Sequence, residues 1–257
     1  MNYNFDFSDK SVVITGGASG IGLECAKAYL QNGATVYIAD YSADNLASAE
    51  KSLKEEFADG KMFFICADIT DSDERKKLVS AVRDNTGSAD ILVNNAGVAR
   101  SVYSVNETEE GWSKVLGINL TAQFFMCQEF ANAFFIPVKK GKIVNMCSLG
   151  GILGIPSATA YSASKGALMQ TTKSLACEWA RFGIQINAVC PGFVETPLIA
   201  ENMADERWLG YMTMRTPQRR LALAEDVAGA VLFLSSQMAD FITGTSLVID
   251  GGFSSGS

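Results

Sequence analysis

Tyr161 and Lys165 stand four positions apart in the stretch SATAYSASKGAL, residues 157–168, of a chain that contains no histidine. At that spacing on a helix both side chains point to one side. A free phenol, with a pKa of about 10, is a poor base near neutrality. An ammonium about 4 Å from the phenolate, at an effective dielectric of about 20, favours ionisation by roughly 4 kcal/mol. That is on the order of three pKa units, enough to bring a phenol near neutrality. A tyrosine so placed can take a proton from an alcohol as the carbinol hydride leaves, or donate one to the alkoxide forming from a ketone. Ser148 lies thirteen residues before Tyr161, in NMCSLGG. Its hydroxyl is either a turn residue or a donor to a substrate oxygen on which negative charge develops.

A second group of residues has the chemistry of binding. In VVITGGASGIGLECAKAYLQNG, Gly16, Gly20 and Gly22 form T-G-x-x-x-G-x-G between an apolar run and a helical pattern. Glycines there let a phosphate approach the backbone, and the free N–H groups of the following helix favour a pyrophosphate. Asp40 stands eighteen residues after Gly22 in YIAD, at the end of the next apolar run. A carboxylate at that point accepts hydrogen bonds from a ribose 2′-hydroxyl and repels a 2′-phosphate. The residues that follow, Tyr41, Ser42 and Ala43, bring no cation. The expected cofactor is therefore NAD rather than NADP. The competing reading of Asp40 is a helix cap or a surface carboxylate. Asp68, in CADIT, either reaches an adenine edge or caps the helix beginning near Asp71.

These residues need a scaffold that brings strand ends together. Apolar runs at 11–15, 35–39, 62–67, 90–95, 142–148, 184–190 and 246–250 alternate with helical patterns near 20–31, 42–57, 72–85, 107–134, 160–181 and 225–235. Most of the runs are apolar throughout, which predicts strands covered on both faces. Alternating β and α elements predict a single α/β domain with a Rossmann-like, doubly wound, seven-stranded parallel sheet. The stretch from about Pro191 to Ala224 is the least regular. Its Met203, Trp208, Tyr211, Met212 and Met214 either line a pocket or form a short helical excursion packed on the core.

Composition narrows the function classes. Of 257 residues, 48% are hydrophobic and 19% charged, which suits a large buried core, and the net charge of −7 opposes nucleic-acid binding. Six cysteines without a C-x-x-C, and no histidine, exclude a Cys/His zinc site, and no metal is expected. No secretory signal or run of 18 apolar residues is visible, so the expectation is a cytoplasmic protein that does not cross a membrane. The missing histidine also removes a Ser-His-Asp hydrolase from consideration.

Taken in order, the glycine turn, Asp40, NNAG at 94–97, Ser148 and Tyr161/Lys165 resemble the short-chain dehydrogenase/reductase family from Ser11 to Gly252. The resemblance implies hydride transfer between NAD(H) and a secondary alcohol or ketone. It gives Ser148 the substrate oxygen, Tyr161 the proton, and Lys165 the tyrosine's acidity and the nicotinamide ribose. It places Asn119, in INL, at a fourth catalytic position, holding a water linked to the lysine; the alternative for a polar group in an apolar helix is a structural hydrogen bond. Asn94 would steady the sheet. The cofactor contacts it implies are Gly16, Ser19, Gly20, Ile21, Gly22, Asp40, Tyr41, Asp68, Ile69, Asn95, Ala96, Gly97, Tyr161, Lys165, Pro191, Gly192, Val194 and Thr196. A homotetramer or homodimer is the implied assembly. Two features depart from the family pattern. RRLALAEDVA replaces a glycine-containing turn, and the small, polar tail GGFSSGS has the composition of a disordered end.

Two other classes share parts of this pattern: an NAD-using epimerase or dehydratase, and a non-catalytic dinucleotide sensor. The first generally has a longer C-terminal substrate region, and the second tends to lose the tyrosine or lysine. For the substrate, Arg100, Tyr103, Leu149, Ile152, Phe193, Trp208, Tyr211 and Met214 are the candidate contacts. Arg100, Arg207 and Arg215 are the candidate partners for an anionic group. Polyol, sugar acid, hydroxysteroid and hydroxyacyl substrates all remain open.

Overall fold

Seven parallel strands in the order β3-β2-β1-β4-β5-β6-β7 form the sheet of a computed structural model that describes residues 5–256. In chain order the first half is β1 (Ser11–Thr15), α1 (Gly20–Gln31), β2 (Thr35–Asp40), α2 (Ala43–Glu56), β3 (Met62–Cys66), α3 (Ser72–Thr86) and β4 (Ile91–Asn94). A long helical segment follows as α4 (Glu109–Leu116), a π-helical turn (Gly117–Ala122), α5 (Gln123–Phe130), a second π-helical turn (Ala131–Phe135) and α6 (Ile136–Val138). The rest is β5 (Gly141–Met146), α7 (Thr159–Trp179), β6 (Ile184–Pro191), α8 (Ala200–Met203), α9 (Glu206–Arg215), α10 (Ala224–Ser235) and β7 (Ser246–Ile249).

The uniformly apolar strands have the cause expected of them. Val12, Ile14, Val36 and Ile38 face a core with Tyr29 of α1, Leu53 of α2 and Val231 of α10. Val13, Tyr37, Leu92 and Ile143 face the opposite core with Leu78 of α3, Phe130 of α5 and Trp179 of α7. Each fully buried large side chain of this kind contributes about 1.5–3 kcal/mol of transfer free energy. Strand order reverses between β1 and β4, so the carboxyl ends of those strands open a crevice.

Three sequence readings change. The segment expected as one helix over 107–134 is broken by π turns and extends to Val138. The irregular stretch after Pro191 holds α8 and α9, and α9 has no buried residue, so it overlies the body rather than packing into the core. The tail through Gly256 is anchored: Asp250 accepts from the Ser254 backbone at 2.7 Å, and Phe253 meets Phe193 edge-on at 5.4 Å. Ser257 lies outside the described residues. Where RRLALAEDVA lacks the family's glycine, Asp226 takes over the turn by accepting from the Leu223 backbone at 2.7 Å and pairing with Arg220.

Candidate active site

The glycine turn is held by Asn95 and Ala96, the residues just past β4. Gly16 has φ +60°, and a Cβ there would come within 2.8 Å of the Ala96 Cα. A Cβ on Gly22 would collide with the Gly16 carbonyl and lie 2.5 Å from the Asn95 amide nitrogen. That amide donates to the Thr15 carbonyl at 3.1 Å and the Gly16 carbonyl at 2.8 Å, so Asn95's side chain shapes the turn itself. Ser19 is the N-cap residue of α1, and its hydroxyl makes no cap bond. The N–H groups of Gly20, Ile21 and Gly22 open that helix, where an anion finds donors and the positive end of the dipole. Across the crevice from Gly20, Thr196 approaches to 3.5 Å of where a Cβ would stand. A glycine-walled cleft closed on its far side by Thr196 fits the pyrophosphate of a dinucleotide.

Asp40 ends β2 and is 6% exposed. Its carboxylate accepts from the Ala18 N–H at 3.3 Å and the Ser42 N–H at 3.0 Å. It is not a helix cap: Ser42 caps α2 by accepting from Asn45. Tyr41 beside it is exposed. Asp71, not Asp68, caps α3, accepting from Asp73 and Glu74. Asp68 is exposed and accepts from the Thr70 backbone at 2.9 Å, while the buried Ile69 gives its carbonyl to Arg75 at 2.8 Å.

Ser148 lies two residues past β5, nearly buried, and accepts from the Gly150 N–H at 3.0 Å. Its hydroxyl thus forms the turn, the first of the two readings considered for it, and lies beside Tyr161. Tyr161 and Lys165 lie on the first turns of α7. The Lys165 ammonium is 3% exposed, donates to the Met146 carbonyl at 2.7 Å, and lies 5.8 Å from the centre of the Tyr161 ring. Burial pushes Lys165 down to about 8. Burial raises Tyr161 above the usual phenol value, with the Ser148 hydroxyl opposing it.

Asn119 is fully buried in the first π turn. Its amide oxygen accepts from the Val98 N–H at 2.8 Å, and its nitrogen donates to the Val98 carbonyl at 2.9 Å and to the Ser164 hydroxyl at 3.2 Å. A Cβ on Gly97 would lie 3.2 Å from Asn119 Oδ1 and 3.4 Å from Lys165 Nζ, so these three positions converge. Asn94 donates to Asn145 of β5 at 3.0 Å and to the Gln123 carbonyl at 3.3 Å, which ties β4, β5 and the helix together. Pro191 ends β6, Gly192 donates to the Ile249 carbonyl at 2.9 Å, and Val194 bridges to Ala222.

Some participants carried no local signal. Thr15 Oγ1 accepts from the Asn95 and Ala96 N–H groups at 3.1 and 3.2 Å, and Ser164 supports Asn119. A hydroxyl ending an apolar strand was the one available hint for Thr15. Cys147 and Cys190, 43 positions apart in sequence, are buried neighbours within reach of the Lys165 charge; their mutual influence holds the Cys190 thiol low and the Cys147 thiol high. Among the described residues no cluster of side chains could hold a metal ion, and no helix is long and apolar enough to cross a membrane.

On the substrate side, residues 98–103 and 155–158 are joined by a Val102–Ala158 bridge and a bond of 2.7 Å from the Val102 N–H to the Ser157 carbonyl. Phe193 contacts Trp208 edge-on at 5.5 Å. Leu149 is buried, while Tyr103, Ile152, Tyr211 and Met214 are exposed. Arg100 is already paired with Glu107 at 2.9 Å, and Arg215 stacks over Phe253 at 5.0 Å.

A glycine turn at a topological switch point, with a serine just past the neighbouring β5 and a tyrosine and lysine on the first turns of α7, is the architecture of a nicotinamide-dependent oxidoreductase. A family model described as enoyl-(acyl carrier protein) reductase matches residues 16–254. Gluconate 5-dehydrogenase of Gluconobacter oxydans is 36% identical, covering 96% of each chain. 3-Oxoacyl-[acyl-carrier-protein] reductase of Thermotoga maritima is 39% identical over 95% of this chain and 97% of its own. Among solved structures, a gluconate 5-dehydrogenase from Burkholderia cenocepacia in complex with NADP and tartrate superposes with a TM-score of 0.92, at 31% identity and 98% coverage of both chains. The chain belongs to the short-chain dehydrogenase/reductase family of oxidoreductases.

Proposed function

We propose that the protein interconverts a secondary alcohol and a ketone on a small polyhydroxy acid or polyol, using NAD(H). The observation that carries this reading is the convergence of Ser148, Tyr161 and Lys165 beside the glycine cradle, with the ammonium 5.8 Å from the phenol ring. The bound nicotinamide would supply the hydride acceptor. Ser148 would donate its hydroxyl to the substrate oxygen, and Tyr161 would take that oxygen's proton in oxidation and return it in reduction. Lys165, charged below about pH 8, would stabilise the phenolate and bond the ribose. Asn119, tied to Val98 and Ser164, would hold the wall of the site beside Lys165.

Asp40 supports NAD over NADP. At the end of β2 its carboxylate would accept from an adenosine ribose 2′-hydroxyl, and no cation adjoins it in sequence. The Burkholderia relative is bound to NADP, so the preference is a property to be tested on this chain. The sugar-acid assignment draws on the gluconate dehydrogenases among the relatives.

The test is NAD(P)H absorbance with NAD and NADP in parallel against gluconate and ketogluconates, polyols, and 3-oxoacyl thioesters. Turnover of a sugar acid or polyol with NAD is expected. Preference for the oxoacyl thioester would reassign the substrate. NAD retained through purification, with no net redox turnover, would favour an epimerase. Binding without turnover of any alcohol would favour a sensor.

A further inference from the structure

Gln123 is the first residue of α5, directly after the π turn that carries Asn119, and is fully buried. Its side-chain nitrogen donates to the Ala96 carbonyl at 2.6 Å. Its side-chain oxygen has no partner among the described residues, although it is buried. A buried amide left half satisfied costs free energy, so the half that is used needs a reason to be kept.

That reason lies in what the helix grips. Asn119 holds Val98 through both its N–H and its carbonyl. Four residues on, Gln123 holds Ala96. Gly97 is therefore clamped from both sides by one helix face. The peptide units of Ala96 are fixed at both ends as well, the N–H by Thr15 at 3.2 Å and the carbonyl by Gln123. Ala96 is also the residue that a Cβ on Gly16 would strike, and a Cβ on Gly97 would come within 3.4 Å of Lys165 Nζ and 3.2 Å of Asn119 Oδ1. A slip of this short segment would move the wall shared by the glycine cradle and the lysine.

We infer that Gln123 is a positioning residue for the dinucleotide: it acts through the Ala96 carbonyl to hold residues 96–98 against the cofactor. This rests on the oxidoreductase reading above, and specifically on the cofactor lying along that segment. Gln123 touches neither the substrate nor the reacting atoms, so its loss should weaken cofactor binding far more than turnover at saturation.

The experiment uses the full chain, NADH fluorescence titration and steady-state kinetics, with Gln123→Met and Gln123→Glu. Methionine keeps the length and removes the donor. The cofactor Kd and KM should rise about tenfold, the size expected for one lost hydrogen bond, with kcat changed less than about twofold. Glutamate donates only when protonated, so its Kd should approach wild type near about pH 6 and exceed it near about pH 9. A Met variant that binds NADH like wild type, or one whose kcat falls while KM holds, overturns the inference. If the Met variant does not fold, the Glu variant decides: a ratio to wild type that ignores pH overturns it. Wild-type chain that fails to bind NADH removes the oxidoreductase reading first, a result distinct from a silent Gln123.

Discussion

Replacing Lys165 with methionine removes a charge while keeping most of the side chain's length. The ammonium is buried and lies 5.8 Å from the centre of the Tyr161 ring. At that separation and an effective dielectric of about 20, a unit charge favours the phenolate by roughly 3 kcal/mol. Such an energy corresponds to about a hundredfold in phenolate population at a fixed pH. The Met variant should therefore oxidise the alcohol about a hundredfold more slowly at neutral pH. The deficit should also shrink as pH rises, because Lys165 itself titrates at about 8 and the wild type then loses the same charge. This second part separates charge from anchoring, since a lysine that only held the ribose would leave a deficit of constant size. The assay is kcat/KM for alcohol oxidation across neutral to alkaline pH, at saturating dinucleotide, in both proteins. A deficit of less than about tenfold at neutrality, or one independent of pH, would refute the electrostatic argument.

Other consequences are quicker to state. Asp40→Ala should shift the ratio of kcat/KM for NAD over NADP toward NADP by at least about tenfold, because a carboxylate no longer faces the 2′-phosphate; an unchanged ratio would place discrimination elsewhere. Gly22→Ala should lower stability by about 1–3 kcal/mol and weaken cofactor binding, since its Cβ meets the Gly16 carbonyl and the Asn95 amide. Thermal unfolding with an NADH titration checks both effects. Burial pushes Lys165 down to about 8 in the folded chain, against about 10.4 for a free lysine, so the unfolded chain binds more protons between those limits and stability rises with pH there. Across that window the wild type should gain up to roughly 3 kcal/mol relative to Lys165→Met, read by denaturant unfolding at each pH.

The sheet was legible because its signal is local. Strands buried on both faces read as unbroken apolar runs, and β1, β2 and β3 start where the runs at 11, 35 and 62 start. Asp40 and the glycine turn were legible because their positions relative to strand ends are fixed by the crossover they belong to. The environment of each reacting group was not. Lys165's bond to Met146, Asn119's to Val98 and Asn95's to Gly16 join residues 19, 21 and 79 positions apart, and no spacing rule specifies such contacts. Arg100 looked free for an anion in sequence, and only packing brought Glu107 onto it. The caps show the same limit at short range: Asp68 and Asp71 are equally suited by type, and the chain's path chose Asp71.

Burial raises the Tyr161 phenol above its usual range, and the proposed proton transfer requires the Lys165 ammonium and oxidised cofactor together to lower it. Tyrosinate absorbance of wild-type protein minus that of Tyr161→Phe, titrated with pH in the presence and absence of NAD+, measures this directly. The account predicts that NAD+ moves the difference curve of one tyrosine to markedly lower pH. Identical curves with and without NAD+, in a protein that binds the dinucleotide, would contradict it.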